Sequence, residues 1–236
     1  LIHWEKLPIE RKDNFRMLHI STDEVFGSIE NEGLFSETSP YDPKSPYSAT
    51  KAASDHLVKA WNHTYGLPTL ISNSSNNFGP WQFPEKLIPV IILNALGNKQ
   101  IPIYGNGENI RDWIFVEDHI NALIQIILKG KLGNSYCIGG GEQRTNNQVT
   151  DIICRVIDKL NPINAPHIKL KSYVKDRAGH DKKYAISNKK INSELNWSPI
   201  YNFEKGINHT IKWYYENQNW CKKIKEKRIY SKLDPI

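Results

Sequence analysis

The feature that most constrains this chain is an order of three elements near its start. A short apolar run at Met17, Leu18 and Ile20 comes first, a helix-forming segment over residues 45 to about 65 follows, and a second apolar run occupies residues 67–71. Ser45 and Pro46 make a good helix start, Ser as the cap and Pro at the first helical position. Ala53, Leu57, Val58, Ala60 and Trp61 then recur at helical spacing, and Gly66 stops the helix. Strand, helix, strand in that order form a parallel sheet, which places the chain in the α/β class.

The remaining pattern is mixed. Residues 27–43 and 75–80 read as loops from their Gly, Ser, Asn and Pro content. Residues 1–14 read as a helix tail and a polar loop leading into a strand at 16–21. An apolar helix is expected over 87–96, an extended piece over 101–104, a strand over 112–116 and an amphipathic helix over 118–128. A strand over 135–138 ends in Gly139-Gly140-Gly141, and a helix follows over 149–160. Beyond it the pattern is α+β, with a charged loop at 175–183 and a last helix at about 203–216.

Hydrophobic residues make up 39% of the 236, which suits a globular chain, and no apolar run approaches the roughly 18–20 residues of a membrane span. The first residues lack the order of a signal peptide. Cys137, Cys154 and Cys221 stand far apart. That fits a reducing cytoplasm and neither a disulfide framework nor a zinc site. Much of the net charge of +6 lies in residues 222–228, a solvated tail rather than a nucleic-acid surface. No zinc finger or RNA-binding aromatic signature is present. A mildly basic chain suits a substrate that carries phosphates.

The reactive groups collect at the ends of the first elements, where open α/β sheets place their chemistry. Tyr47 and Lys51 stand four apart and share one helix face. An ammonium near a phenol favours the phenolate and lowers its pKa from about 10, so that the Tyr can take a substrate proton. Tyr201 and Lys205 have the same spacing and read as structural, because nothing reactive surrounds them. Asp23 and Glu24 need the strand to end at about Thr22, since neighbours in a continuing strand point to opposite faces. Gly27 is consistent with such a turn. By themselves the two acids read as solvated loop residues; the Tyr/Lys pair downstream favours function.

Seven motifs in order, ISTDEVFG (20–27), PYSATK (46–51), SNNFGP (75–80), FPEKLIP (83–89), PIYG (102–105), RDWIFVEDH (111–119) and DRAGH (176–180), resemble the dTDP-glucose 4,6-dehydratases. These are extended short-chain dehydrogenase/reductases with tightly bound NAD. The resemblance implies the C-terminal part of a Rossmann-type parallel-sheet domain plus a smaller α+β substrate domain. Residues 1–75 would be the remaining half of the NAD-binding domain and 76–236 the nucleotide-sugar domain, with about 111–139 returning to the first.

It also implies roles. Tyr47 would be the base at the sugar C4 hydroxyl, with Lys51 assisting it and holding the cofactor ribose, and Thr22 would bond the C4 oxygen. Glu24 would remove the C5 proton and Asp23 protonate the departing C6 hydroxyl. One carboxyl must be ionised and the other protonated at the same pH, so their environments must separate their pKa values. Asn77 matches a contact near the nicotinamide and Asn76 a substrate contact. Lys86, Leu87, Pro102 and Tyr104 match positions around the base and diphosphate, where the Arg111 guanidinium also fits chemically. Asn146, Asp176, Arg177 and His180 complete the nucleotide pocket. A homodimer with the Tyr47 helix in its interface, and a place in dTDP-rhamnose and polysaccharide precursor synthesis, are further implications.

Phe26 and Phe78 depart from a frequent Tyr, Ala178 from a frequent Pro and Cys137 from a frequent Asn, and the loop at 27–35 is short. None of these removes a catalytic group. The larger departure is at the front: a dinucleotide fold opens with a strand, a glycine-rich turn and a helix. Gly139-Gly140-Gly141 lacks that spacing. Roughly a hundred residues, about one mononucleotide half, are expected to be missing, with an open sheet edge at the first strand. The chain is thus read as a fragment, or the product of a truncated gene, of an enzyme that in full would bind NAD. The alternatives are a UDP-glucose 4,6-dehydratase, a sugar-nucleotide epimerase, or an inactive nucleotide-sugar-binding fragment. One methyl group on the base separates dTDP from UDP, worth about 1–3 kcal/mol.

Overall fold

The computed structural model describes residues 1–30, 32–177 and 179–226. Ala178 and residues 227 and 228 of the basic run lie outside them. Where a helix tail and loop are expected, the chain forms two short helices, α1 (Ile2–Glu5) and α2 (Ile9–Asp13). β1 (Met17–Thr22) then ends in a 3-10 turn over Asp23–Phe26.

The long helix is α3 (Pro46–Tyr65). Its start is a reciprocal capping box: Ser48 N donates to Ser45 Oγ at 3.1 Å and Ser45 N to Ser48 Oγ at 3.0 Å. Gly66, at φ +68°, closes it in the left-handed region where glycine carries no Cβ penalty. β2 follows as Thr69–Ser74, later than the apolar run suggests. Pro68 has no N–H for a ladder, while the polar Ser72, Asn73 and Ser74 continue the strand and are all buried.

Residues 75–80 are a correction. Instead of a plain loop they contain β3 (Asn76–Phe78), whose side-by-side partner is remote in sequence. Then come α4 (Leu87–Leu96), β4 (Ile101–Tyr104), β5 (Ile110–Phe115), α5 (Val116–Lys129) and β6 (Ser135–Ile138). β7 (Gln143–Thr145) leads into α6 (Asn146–Leu160), which starts three residues earlier than its apolar pattern because Thr145 and Gln148 form a second capping box. β8 (Lys171–Val174), α7 (Lys189–Leu195), α8 (Phe203–Glu216) and α9 (Gln218–Glu226) complete the described residues. β7, β8, α7 and α9 lack a sequence expectation of their own.

β1, β2 and β6 pair in that order, all parallel, with Thr22 opposite Ser74 and Ser74 opposite Ile138. The α/β class and Rossmann-type parallel sheet are therefore as expected. Parallel pairing brings the three C-terminal ends to one edge, where the Asp23–Phe26 turn, Ser75 and Gly139 leave the sheet. Among the described residues, β2 is the one strand hydrogen-bonded to β1, and Ile20 on β1 is 47% exposed. β3, β5 and β7 form a second sheet, parallel then antiparallel, and β4 pairs parallel with β8.

Two cores hold the elements. Leu70, Ile114, Ile126, Tyr136 and Ile138 close the first sheet under α5 and α7. Phe78, Ile88, Ile92, Phe115, Ile153, Phe203 and Ile207 pack α4, α6 and α8 around β3 and β5. Each such fully buried side chain stabilises the fold by about 1.5–3 kcal/mol. A smaller cluster of Val25, Phe26, Ala52, Cys137 and Ile186 underlies the 3-10 turn.

Candidate active site

The turn after β1 solves the problem of two adjacent acids. Thr22 Oγ1 accepts from Glu24 N at 3.3 Å, capping the 3-10 turn and ending the strand alternation. Glu24 then faces a cleft of about 690 Å³, while Asp23 is 1% exposed, with Oδ2 buried and unpartnered. Burial pushes the Asp23 carboxyl well above the usual range, and the Glu24 and Asp112 charges add to this. Glu24 is also raised by burial, with Arg111 pulling the other way.

Tyr47 lines the same cleft and remains half exposed. The expectation that Lys51 lowers its phenol is not met. Burial raises it, and the Glu24 and Asp23 charges raise it further. The reason is geometric: Lys51 Nζ is turned to β1, donating to Ile20 O at 2.8 Å. Tyr201 and Lys205 form a separate pair outside this cleft, with Lys205 over the Tyr201 ring and the Tyr201 hydroxyl donating to Glu117.

Across the cleft stand Asn76, Lys86, Leu87, Tyr104, Arg111, Asn146, Arg177 and His180, all anticipated from the family resemblance. Lys86 and Leu87 open α4 and Asn146 opens α6, so two helix N-termini meet the cleft; at α6 the first N–H groups are already bonded, Asn146 N to Asn109 O at 3.2 Å and Asn147 N to Gly107 O at 3.1 Å. The positive ends of the two helix dipoles and the unpaired cations together suit a phosphate-bearing ligand. Among the described residues, Lys86, Arg111 and Arg177 form no ion pair with a carboxylate. Arg177 lies over the Tyr104 ring, 4.2 Å from its centroid.

Other anticipated residues adjoin the lining. Asp176 Oδ1 is 2.7 Å from His180 Nδ1, and that bond holds the Asp176 carboxyl below its ordinary range. Asn77 Nδ2 donates to Ser75 O at 3.2 Å, leaving Oδ1 buried without a partner, and the same is true of Asn76 Oδ1 and Ser75 Oγ. Pro102 is on β4 beside the buried Ile101 and Ile103. Ser45, Trp113, Asp181 and Tyr184 line the cleft without having been anticipated. Tyr184 follows a charged loop with no motif to mark it. A second cleft, about 550 Å³ between α6 and α8, contains none of the anticipated residues.

Residues 5–210 match the family model described as GDP-mannose 4,6 dehydratase. A dTDP-glucose 4,6-dehydratase of Xanthomonas campestris is 50% identical over 224 residues, which is 94% of this chain and 64% of that protein. One from Escherichia coli is 50% identical over 232 residues, with the same shares covered. Among solved structures, a dTDP-glucose 4,6-dehydratase from Bacillus anthracis in complex with NAD is 40% identical with a TM-score of 0.83, over 92% of this chain and 67% of that one. DesIV, a dTDP-glucose 4,6-dehydratase from Streptomyces venezuelae with NAD and TYD bound, is 39% identical with a TM-score of 0.84, over 89% and 62%. The chain thus spans about 64% of the length of the curated relatives it matches.

Proposed function

The chain belongs to the GDP-mannose 4,6 dehydratase family, and we propose that it carries the catalytic and substrate groups of an NAD-dependent dTDP-glucose 4,6-dehydratase. The reaction is dTDP-glucose to dTDP-4-keto-6-deoxyglucose plus water. The observation that carries this reading is one cleft in which Glu24 and Tyr47 face Arg111, Lys86 and Arg177, with a raised, buried Asp23 adjoining Glu24. An epimerase working at C4 has no use for the acid pair. The relatives' shared activity on dTDP-glucose favours thymidine over uridine.

The chain's residues fit the nicotinamide–ribose end of the cofactor. Lys51 retains donors beyond its bond to Ile20, and the orphaned Asn77 Oδ1 is available as an acceptor; with Tyr47 these would hold that end. When bound, NAD supplies a cationic nicotinamide ring and reversible hydride transfer. Tyr47, whose phenol is raised by burial and by the Glu24 charge, would act as base at the C4 hydroxyl from its deprotonated form, which the Lys51 ammonium and the cationic ring of bound NAD would favour. Thr22 bonds the C4 oxygen. The C4 ketone acidifies the C5 proton, which Glu24 would take, and Asp23, protonated by virtue of burial, would give its proton to the departing C6 hydroxyl; with the hydride restored at C6, Glu24 would return its proton to C5 and complete the 4-keto-6-deoxy sugar. Arg111, Lys86 and Arg177 bind the diphosphate; Asn76, Leu87, Pro102, Tyr104, Asn146, Asp176 and His180 shape the sugar and base subsites.

Residues 1–75 with about 111–139 form the cofactor side and the remainder the substrate side. Leu57, Trp61 and Tyr65, spaced by four on α3 and 54, 40 and 53% exposed, make an apolar stripe suited to a homodimer interface. Among the described residues no helix is long and apolar enough to cross a membrane; a cytoplasmic enzyme supplying dTDP-rhamnose and polysaccharide precursors fits the reading. A second reading, favoured by the open edge of β1, to which β2 is the one strand bonded among the described residues, is a nucleotide-sugar-binding piece without turnover of its own. The test is to supply NAD with dTDP-glucose or UDP-glucose and follow the 4-keto product. Product from dTDP-glucose supports the enzyme. Tight dTDP-glucose binding with no product supports the binding piece, and a clear preference for UDP-glucose contradicts the substrate assignment.

A further inference from the structure

Arg111 is 9% exposed on β5, yet its guanidinium is held by neutral groups. Nη1 donates to Ile110 O at 2.8 Å and Nη2 to Asp181 O at 3.0 Å. Its remaining face lies over the Tyr184 ring, with Cζ 4.5 Å from the centroid. Tyr184 is itself fixed: it is 5% exposed, its hydroxyl donates to Asp181 Oδ2, and its backbone N donates to Ile110 O at 3.2 Å.

A buried cation satisfied by carbonyls and a ring face keeps its net charge for an incoming anion. The competing partner is close at hand. Glu24 lines the same cleft and its charge acts on Arg111. A guanidinium free to swing onto Glu24 would lose its charge to the acid and hold Glu24 as a paired anion. The same device recurs opposite, where Arg177 rests on the Tyr104 ring.

We infer that Tyr184 is a positioning residue for the anion subsite: the face of its ring holds the Arg111 guanidinium off Glu24 and ready for a diphosphate. This rests on the nucleotide-sugar reading and adds a residue to it. Ordering the cation before the ligand arrives removes a cost from binding.

The test replaces Tyr184 in the whole chain, once as Tyr184→Phe and once with pentafluorophenylalanine, which keeps the ring's shape but reverses its electrostatic face. Affinities for dTDP and for thymidine are measured in parallel by calorimetry or ligand-observed NMR. Tyr184→Phe should bind dTDP within about threefold of the wild type and the fluorinated ring about tenfold more weakly, while thymidine binds all three alike. Equal dTDP affinity for the two replacements, or a parallel loss for thymidine, overturns the inference. A wild-type chain that prefers neither dTDP nor thymidine overturns the nucleotide-sugar reading instead. Inorganic pyrophosphate then takes the place of dTDP, and a loss on fluorination still decides for the positioning role, no loss against it.

Discussion

Lys51 Nζ donates to the carbonyl of Ile20 across 2.8 Å, tying the helix that carries Tyr47 to the strand that ends in the acid pair. One turn further along the same helix face, Asp55 is fully buried, with His19 Nε2 3.0 Å from its Oδ1 and three donors on its Oδ2. These are Ser21 Oγ at 3.0 Å, Asn73 Nδ2 at 3.0 Å and Tyr41 OH at 2.8 Å. Tyr47, Lys51 and Asp55, at i, i+4 and i+8, therefore form a polar seam that fixes the rotation of α3 against β1 and β2.

Asp55→Ala would leave those three donors without their acceptor, at a cost of about 3 kcal/mol or more. Urea unfolding should show this as a lower midpoint with an unchanged slope. Asp55→Asn, which keeps one acceptor oxygen, should lose less.

Glu24→Gln should separate the two halves of the chemistry. C4 oxidation needs Tyr47 and survives, so NADH forms on adding dTDP-glucose, while water loss falls by about 10²–10⁴-fold. Absence of NADH in that variant would contradict the role of Glu24 as the C5 base.

Two buried groups should give opposed pH dependences of stability. Burial raises Asp112 to about 6, so the folded state binds a proton there that the unfolded chain releases near 4, and stability falls as pH rises across that window. Burial lowers His119 to about 4, so the unfolded chain takes its proton first, and stability falls as pH drops from about 6.5. Each contributes about 3 kcal/mol, and they largely cancel between pH 4 and 6. Relative to wild type, Asp112→Asn should become more stable as pH rises from 4 to 6, and His119→Gln should resist acid better. Chemical denaturation at several pH values reads both slopes.

Gly140 is fixed by packing. A Cβ there would lie 1.8 Å from Trp113 O and 2.6 Å from its carbonyl carbon, backbone that cannot step aside. Gly140→Ala should cost about 3 kcal/mol, a fall in Tm of about 6–12 °C by calorimetry. Because the displaced strand is β5, which carries Arg111, dTDP affinity should fall too.

α3 was legible from sequence because both its ends carry their own chemistry, Ser45-Pro46 before it and Gly66 after. The acid pair was legible as a question, and Thr22's cap on the turn answered it. β3 was not legible: Asn76-Asn77-Phe78 has loop composition, and only pairing with β5, over thirty residues away, makes it a strand. Ser72, Asn73 and Ser74 misled in the same way, polar residues buried because β1 and β6 flank them. The direction of the Tyr47 shift depends on where Lys51 Nζ points, which helical spacing leaves open. Tyr184 owes its place to Arg111 and Asp181 and has no sequence pattern of its own.

The most direct measurement is the fate of a deuterium label on C4 of dTDP-glucose, followed by NMR with NAD present. A site in which Tyr47 serves as the C4 base, Glu24 as the C5 base and Asp23 as the acid moves the label to C6 of a 4-keto-6-deoxy product. Label found at C4 of an epimerised sugar, or bound dTDP-glucose left unchanged, would contradict the dehydratase assignment.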